Sequence, residues 1–250
     1  MACILHIETS TDVCSVAVSK DGFRVFEKEQ RGGMNSSEKL GSFIDEALQE
    51  AEDKHVELEA VAVSSGPGSY TGLRIGVSMA KGICYGKDLK LISIPTLQVL
   101  CVPALLSDKV RCVKHVDGNT ENMEVEMEDD ALLCPMIDAR RMEVYAAIYE
   151  RSLKEVRPTQ ADIVDGETYR KYLDEHVVYF FGNGAEKCMD AINHPNARYI
   201  KGVVPLARNM MPLADMKIRR EEYEDVAYFV PTYFKDYVAK LPKDLLKTRS

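Results

Sequence analysis

Long apolar runs are missing from this chain. Although 46% of its 250 residues are hydrophobic, no stretch reaches the roughly 18 consecutive apolar residues that a membrane helix needs. The first residues are apolar, but no basic segment precedes them and His6, Glu8 and Asp12 interrupt them, so a secretory signal peptide does not fit. We therefore expect a soluble, cytoplasmic protein without membrane contacts.

Closely spaced cysteines and histidines are also missing. The seven cysteines occur singly, mostly within apolar stretches, and the five histidines are equally dispersed. A structural zinc site needs closely spaced ligand pairs, whereas isolated cysteines among apolar neighbours are typical of reduced thiols that fill a core. The sequence therefore predicts no metal site.

Basic residues are in deficit. The chain has 40 acidic and 32 basic side chains, which give a net charge of -8. Proteins that bind nucleic acid on their own neutralise phosphates with Lys and Arg. We therefore expect the isolated chain to bind RNA poorly, with the basic stretch from Lys235 to Arg249 as a local exception.

The length allows two modest domains. Ser36 or Ser37 fits the N-terminal cap of the first predicted helix. Apolar periodicity and turn residues predict three strands within 3–28, a helix at 37–51, a strand at 58–63, a helix at 71–85, a strand at 89–94 and a helix at 96–106. A strand meander followed by alternating helices and strands predicts an α/β fold, with a mixed sheet and helices on its faces.

The second half repeats this outline less clearly, with strand candidates at 132–138, 142–149 and 178–181. Between the halves, residues 117–130 are rich in acidic side chains and contain no basic one. Dense like charges are typical of a solvated loop. The alternative is a docking surface for a basic partner.

The strongest local motif is the glycine-rich segment 65–76, between a predicted strand and a predicted helix. It could be a structural turn or an anion site at a helix N-terminus, and it lacks the Gly-Lys-Ser/Thr of a Walker A loop. The turn from Glu8 to Thr11 could face a phosphate or Mg²⁺, or its hydroxyls could satisfy nearby backbone groups. The turn at 138–141 fits a salt-bridge cluster or a phosphate or carboxylate contact through its two arginines.

Small residues form two ridges on the predicted helix 71–85. One ridge contains Gly72, Gly76 and Ala80, and the other contains Ser78, Gly82 and Gly86. Glycine within a helix costs about 1 kcal/mol relative to alanine, so several together indicate close approach by another backbone. That backbone belongs either to the chain's own sheet or to another protein.

Four stretches resemble one family in the same order along the chain. They are Ile-Leu-His-Ile-Glu-Thr-Ser-Thr at 4–11, Gly-Pro-Gly-Ser-Tyr-Thr-Gly-Leu-Arg-Ile-Gly at 66–76, Pro-Met-Ile-Asp-Ala-Arg-Arg-Met-Glu-Val-Tyr at 135–145 and Phe-Gly-Asn-Gly-Ala at 181–185. With Pro231-Thr232-Tyr233 near the end, they resemble the TsaB (YeaZ) family. The second and third stretches are the most specific.

This resemblance implies an actin/Hsp70/sugar-kinase-like (ASKHA) fold of two related subdomains. We place these at residues 1–103 and 104–230, the second with the acidic insert 117–130, followed by a basic tail at 231–250.

The resemblance also implies a function. TsaB pairs with its catalytic paralogue TsaD and with the ATPase TsaE for threonylcarbamoyl transfer to the adenosine next to the anticodon of tRNAs reading ANN codons. TsaB is the non-catalytic scaffold, and tRNA binds through the complex.

TsaD-like proteins carry a metal-binding histidine pair that the matching residues 94–103 lack here. Glu8 also replaces the family's usual Asp. We therefore expect no catalytic residue, no metal and no tightly bound cofactor, and we leave ADP or ATP open at the interface of the complex. The cofactor-binding candidates, all weak, are Glu8, Thr9, Ser10, Gly66 and Gly68.

Family members contact TsaD, or one another in its absence, through the helices that match residues 37–51 and 71–85. The expected interface residues are Phe43, Ala47, Gly72, Leu73, Gly76, Val77, Met79, Ala80 and Ile83. We expect Gly76→Arg to break this contact while leaving the fold intact. The two rival functions are a metal-dependent, glycoprotease-like hydrolase and an independent nucleotide-binding, kinase-like protein.

Overall fold

The structure, a computed structural model, describes residues 2–32 and 39–234. Its first sheet has five strands in the order β3-β2-β1-β4-β5. The strands are β1 (Cys3–Glu8), β2 (Val13–Lys20), β3 (Phe23–Arg31), β4 (Ala60–Ser64) and β5 (Lys90–Ile94). β1 to β3 form an antiparallel meander, and β4 and β5 extend the sheet from β1 in parallel. The predicted mixed sheet is confirmed.

The second sheet has seven strands in the order β10-β9-β8-β11-β12-β6-β7. The strands are β6 (Val110–Val116), β7 (Asn119–Val125), β8 (Leu132–Asp138), β9 (Glu143–Glu150), β10 (Glu155–Ile163), β11 (Val178–Phe181) and β12 (Ala197–Ile200). β8, β11 and β12 run parallel, and antiparallel strands flank them on both sides. Two mixed sheets flanked by helices therefore confirm the predicted fold class.

Helices α1 (Leu40–Asp53) and α2 (Tyr70–Lys87) cover one face of the first sheet. Apolar side chains at helical spacing bury one side of each helix against β1, β2 and β4. The predicted cap residues Ser36 and Ser37 lie outside the described residues, as do residues 235–250 of the predicted basic tail.

Helix α3 (Thr96–Leu105) lies between the two sheets. Val99 and Val102 pack with the first sheet, whereas Leu97 and Leu100 pack with the second. After the short helix α4 (Arg170–Leu173), helix α5 (Met211–Arg219) returns to the first sheet. The predicted subdomain boundaries stay a prediction, but α5 packs with the first sheet rather than with the rest of 104–230.

The acidic insert 117–130 is not simply a solvated loop. Its first half is β7, the edge strand of the second sheet, which pairs with β6 through a hairpin turn. Asp117 and Gly118 both have positive φ there, and Asp-Gly is a typical hairpin turn pair. The prediction of a solvated loop gave more weight to the acidic side chains than to this turn signal. Within the described residues, no helix has the length and apolar character to cross a membrane.

Candidate functional site

The turn between β1 and β2 holds a fully buried carboxyl group. Glu8 ends β1 and lies beside Ser64, the last residue of β4, because the parallel register pairs Ile7 with Val63. The backbone N–H of Ser10 donates to Glu8 Oε1 at 2.6 Å. Burial raises the pKa of Glu8 to about 7, although the hydrogen bond from Ser10 opposes the shift. The chain itself therefore encloses this carboxyl group.

We expect Glu8 to make stability depend on pH. A carboxyl group whose pKa rises on folding stabilises the fold below its ordinary pKa of 4.5 and loses that contribution as the pH rises through about 7. This shift in pKa corresponds to about 3 kcal/mol of unfolding free energy. Urea unfolding of the wild type and of Glu8→Gln from pH 4 to 8 measures it. Relative to the variant, the wild type should lose this amount between pH 4.5 and 7.

The titration of His6 changes stability with pH in the opposite direction to that of Glu8. Only the comparison of the wild type with Glu8→Gln therefore isolates the effect of Glu8. Burial lowers the pKa of His6 to about 3, and its Nε2 lies 2.8 Å from Ser19 Oγ. A histidine kept neutral by the fold lowers stability as the pH falls below its ordinary pKa of 6.5. The two effects largely cancel in the wild type between pH 4.5 and 6.5. If the free energies of unfolding of the wild type and Glu8→Gln differed by the same amount at every pH, the prediction would be contradicted.

The glycine-rich loop before α2 packs directly on the β1–β2 turn. The backbone N–H of Ser69 donates to the carbonyl of Ser10 at 2.6 Å. A Cβ atom at Gly68 would overlap that same carbonyl oxygen. Thr9, Ser10 and Gly68, three of the cofactor-binding candidates, therefore lie close together, but they fill the space between them. A phosphate could enter there only if the turn and the loop separated.

The last described segment of the chain covers the other side of this loop. The backbone N–H of Thr232 donates to the carbonyl of Ser65 at 2.8 Å. Gly66 has φ +103°, and a Cβ atom there would lie 2.7 Å from the Thr232 carbonyl oxygen. The Tyr233 ring lies 4.8 Å from that of Tyr70, between centroids. The Pro231-Thr232-Tyr233 motif was the sequence signal for this contact, which the predicted site did not include.

The first small-residue ridge of α2, which we call the inner ridge, faces the chain itself. Its members are Gly72, Gly76 and Ala80. A Cβ atom at Gly72 would overlap the carbonyl oxygen of Thr9, and one at Gly76 would overlap the Thr9 hydroxyl. That hydroxyl donates to the Gly72 carbonyl at 2.8 Å. The inner ridge is thus explained by close packing of the helix on the β1–β2 turn.

The second ridge, which we call the outer ridge, faces solvent. Ser78, Gly82 and Gly86 are all exposed. A Cβ atom at Gly82 or Gly86 would meet nothing within 4 Å. Nothing in the described part of the chain therefore accounts for these two glycines.

Burial divides the expected interface residues into two groups. Phe43, Ala47, Leu73, Gly76, Val77 and Ala80 are buried within the chain. These six, and Gly72 beside Thr9, have an intramolecular role because both helices turn their apolar stripes to the sheet. Met79 and Ile83 are half-buried and border the solvent-exposed side of α2. The interface itself stays a prediction, and the accessible surface for it is the outer ridge.

The turn between β8 and β9 is fixed by Lys187. Its Nζ donates to the carbonyls of Arg141 at 2.6 Å and Glu143 at 2.7 Å, and it pairs with the Asp138 carboxylate. Asp138 therefore pairs with Lys187 rather than with the arginines of the predicted salt-bridge cluster, and sequence reasoning missed Lys187 because it lies 46 residues from Arg141. Neither Arg140 nor Arg141 forms an ion pair with Asp138 in the described part of the chain. Within the described ranges, no group of three or more His, Cys, Asp or Glu residues could hold a metal ion.

Comparisons with known proteins match these motifs and this fold. A family model described as TsaD, tRNA N6-adenosine threonylcarbamoyltransferase, matches residues 29–112. The chain is 26% identical to the tRNA threonylcarbamoyladenosine biosynthesis protein TsaB of Escherichia coli, over 96% of this chain and 98% of that protein. The chain is therefore similar to TsaB over nearly its whole length. YeaZ from Pseudomonas aeruginosa has the same fold, with a TM-score of 0.69 over 93% of this chain and all of that one, at 19% identity.

Similarity to TsaD is more limited in extent. The tRNA N6-adenosine threonylcarbamoyltransferase of Lactiplantibacillus plantarum is 36% identical over 36% of this chain and 31% of that protein.

A second P. aeruginosa structure, of a protein similar to YeaZ, covers 94% of this chain and all of its own with a TM-score of 0.75, also at 19% identity. The TsaB resemblance thus spans nearly the whole chain, and the chain shares the fold of these two YeaZ-like structures.

Proposed function

We propose that the chain is an accessory subunit for tRNA threonylcarbamoyladenosine biosynthesis that binds a TsaD-like catalytic subunit through α2 and the adjoining α1. Two relatives carry the name of that biosynthesis, and one of them matches over nearly its whole length. The partial similarity to TsaD fits a pair of related chains that share their first subdomain. A TsaE-like ATPase would join through this pair.

The outer ridge is the observation that carries this proposal. Each glycine inside a helix costs about 1 kcal/mol relative to alanine. The inner ridge offsets that cost by packing on Thr9, but Gly82 and Gly86 meet nothing within the chain. A second backbone that approaches α2 on this side would account for both glycines.

Apolar side chains border the outer ridge on both sides. Ile75 and Met79 are half-buried, and Tyr85 is 88% exposed one turn beyond Gly82. Interfaces commonly centre on aromatic and methionine side chains, with small residues allowing close helix contact. This combination supports a helix-to-helix contact, with a second copy of the chain as the occupant when the catalytic partner is absent.

The accessory role is supported by the packing at Glu8. The carboxyl group is enclosed, and the Gly68 loop lies against the Ser10 carbonyl. The rival kinase-like function needs the β1–β2 turn and the Gly68 loop to separate, so calorimetry with ATP or ADP on the isolated chain tests it. Micromolar affinity would favour the rival function over the accessory role. Metal-dependent peptide cleavage by pure protein would favour the hydrolase.

Gly82→Arg is expected to abolish binding to the TsaD-like subunit while leaving the fold intact. A long charged side chain would hold the two helices apart, and an affinity loss of at least roughly 100-fold, about 3 kcal/mol, follows. Size-exclusion chromatography and titration calorimetry of the mixed proteins measure it. Gln160→Arg is the matched control, because this exposed position on β10 gains the same charge in the other sheet.

An unchanged complex with Gly82→Arg would contradict the interface but not the accessory role. The role itself is tested by a tRNA modification assay with the TsaD-like and TsaE-like partners, with and without this chain. We expect modification to require it. Full modification in its absence would overturn the proposed function.

A further inference from the structure

After α5, the chain crosses the edge of the first sheet as a strap, which we define as residues 224–234. The strap begins on β5, the edge strand of that sheet. The backbone N–H of Glu224 donates to the carbonyl of Leu91 at 2.8 Å, and its carboxylate accepts from Ser93 Oγ at 2.5 Å. An edge strand presents backbone groups that have no neighbour in the sheet, and the strap covers part of this edge.

Lys81 on α2 holds the middle of the strap. Its Nζ donates to the carbonyls of Ala227 at 2.9 Å and Phe229 at 3.1 Å. The side chains of Val226 and Phe229 pack, partly buried, against the core beneath α2. Because hydrogen bonds from a charged donor are stronger than those between neutral groups, Lys81 is a strong polar contact between α2 and the strap.

The end of the strap packs on the loop formed by residues 65–68. Pro231 is buried there, and the backbone N–H of Thr232 donates to the carbonyl of Ser65. The ring of Tyr233 lies beside that of Tyr70, at the start of α2. The strap therefore covers the loop on the side away from the β1–β2 turn.

The loop is thus held from two sides that differ in strength. Towards the turn, the backbone N–H of Ser69 donates to the carbonyl of Ser10 at 2.6 Å, and Gly68 packs against the same carbonyl. On the strap, by contrast, Tyr228 is 84% exposed and Val230 is 70% exposed. Segments that bury little apolar surface open locally without unfolding of the domain. The strap can therefore leave the loop while the rest of the chain stays folded.

We propose that the strap is a lock on the loop at residues 65–68. While the strap is seated, the loop stays against the β1–β2 turn, and the space between loop and turn stays closed to ligands. Release of the strap is the step that lets the two separate. The lock lies within this chain, so the inference does not rest on the function proposed above.

Lys81→Met/Tyr233→Ala tests the lock in the full chain. Methionine keeps an unbranched apolar side chain but donates no hydrogen bond, and alanine removes the ring beside Tyr70. In hydrogen exchange measured by NMR, the Thr232 amide reports whether the strap is seated, and the Ser69 amide reports whether the loop lies on the turn. We expect both amides to exchange at least roughly 10-fold faster than in the wild type, since two charge-assisted hydrogen bonds are lost.

Lys87→Met/Tyr228→Ala is the matched control, because it makes the same two kinds of substitution at exposed positions of α2 and of the strap. We expect Thr232 and Ser69 to exchange at the wild-type rate in this variant. The amide of Val178 in β11, which donates to the carbonyl of Asn196, is the reference for global unfolding. It should exchange at the wild-type rate in both variants.

Four outcomes would overturn the lock. Faster exchange at Thr232 with unchanged exchange at Ser69 would mean that the strap covers the loop without holding it. Equal acceleration at Ser69 and Val178 would mean that the substitutions unfold the domain as a whole. Wild-type exchange at Thr232 would show that Lys81 and Tyr233 do not seat the strap. An equal acceleration at Ser69 in the control variant would remove the specific role of these two residues.

Discussion

Gly76→Arg is expected to prevent the chain from folding rather than to break a protein contact. Gly76 is buried, and a Cβ atom there would overlap the Thr9 hydroxyl of the β1–β2 turn. Overpacking and an unpaired buried charge together cost more than about 4 kcal/mol. That is a large part of the roughly 5–15 kcal/mol by which domains are stable. Soluble yield, circular dichroism and urea unfolding measure the loss.

Gly82→Arg, six residues further along α2, is the matched control. Nothing lies within 4 Å of a Cβ atom at Gly82, so the same substitution should leave the melting temperature within a few degrees of the wild type. Gly82→Ala should even raise stability by about 0.5–1 kcal/mol, since alanine is the better helix former. A well-folded Gly76→Arg variant would contradict the intramolecular role of the inner ridge and restore the original expectation that it is an interface residue.

The sequence could predict that α2 exists and that it carries small residues, but not which ridge faces inward. Gly76 and Gly82 both belong to rows with four-residue spacing, so periodicity treats them alike. The difference comes from Thr9, which is distant in sequence and contacts only one row. Such a contact is set by the sheet register between β1 and β4, which no local pattern encodes.

The candidate site shows the same limit. The sequence made Glu8, Ser10 and Gly68 candidates for one site, and the fold brings them together because both segments follow parallel strands at one edge of the sheet. It did not predict that Glu8 would be enclosed, since burial depends on the elements packed over β1. Lys187 was missed for a related reason: a single lysine carries no signal until the fold places it under the β8–β9 turn.

Asp162→Ala is expected to destabilise the second sheet severely. Asp162 Oδ1 and Oδ2 accept from the two terminal nitrogens of Arg157 at 3.1 and 2.5 Å, and Oδ2 also accepts from the Tyr169 hydroxyl at 2.6 Å. The Arg157 and Asp162 side chains are only 12% and 8% exposed. Removing the carboxylate leaves a buried guanidinium group without its counter-charge, which costs about 3–5 kcal/mol. Urea unfolding followed by circular dichroism and tyrosine fluorescence measures this loss.

Two further variants separate the charge from the packing. Tyr169→Phe removes one hydrogen bond to a charged acceptor and should cost about 1.5–3 kcal/mol. In the Tyr169→Phe background, which leaves no buried hydroxyl without its acceptor, Arg157→Met/Asp162→Leu removes both charges and should recover most of the stability, because an apolar pair of similar volume avoids desolvating two ions. If the double variant were as unstable as Asp162→Ala, the loss would come from side-chain shape. The unpaired Arg157 charge would then no longer explain it, and the network around Tyr169 would act through packing.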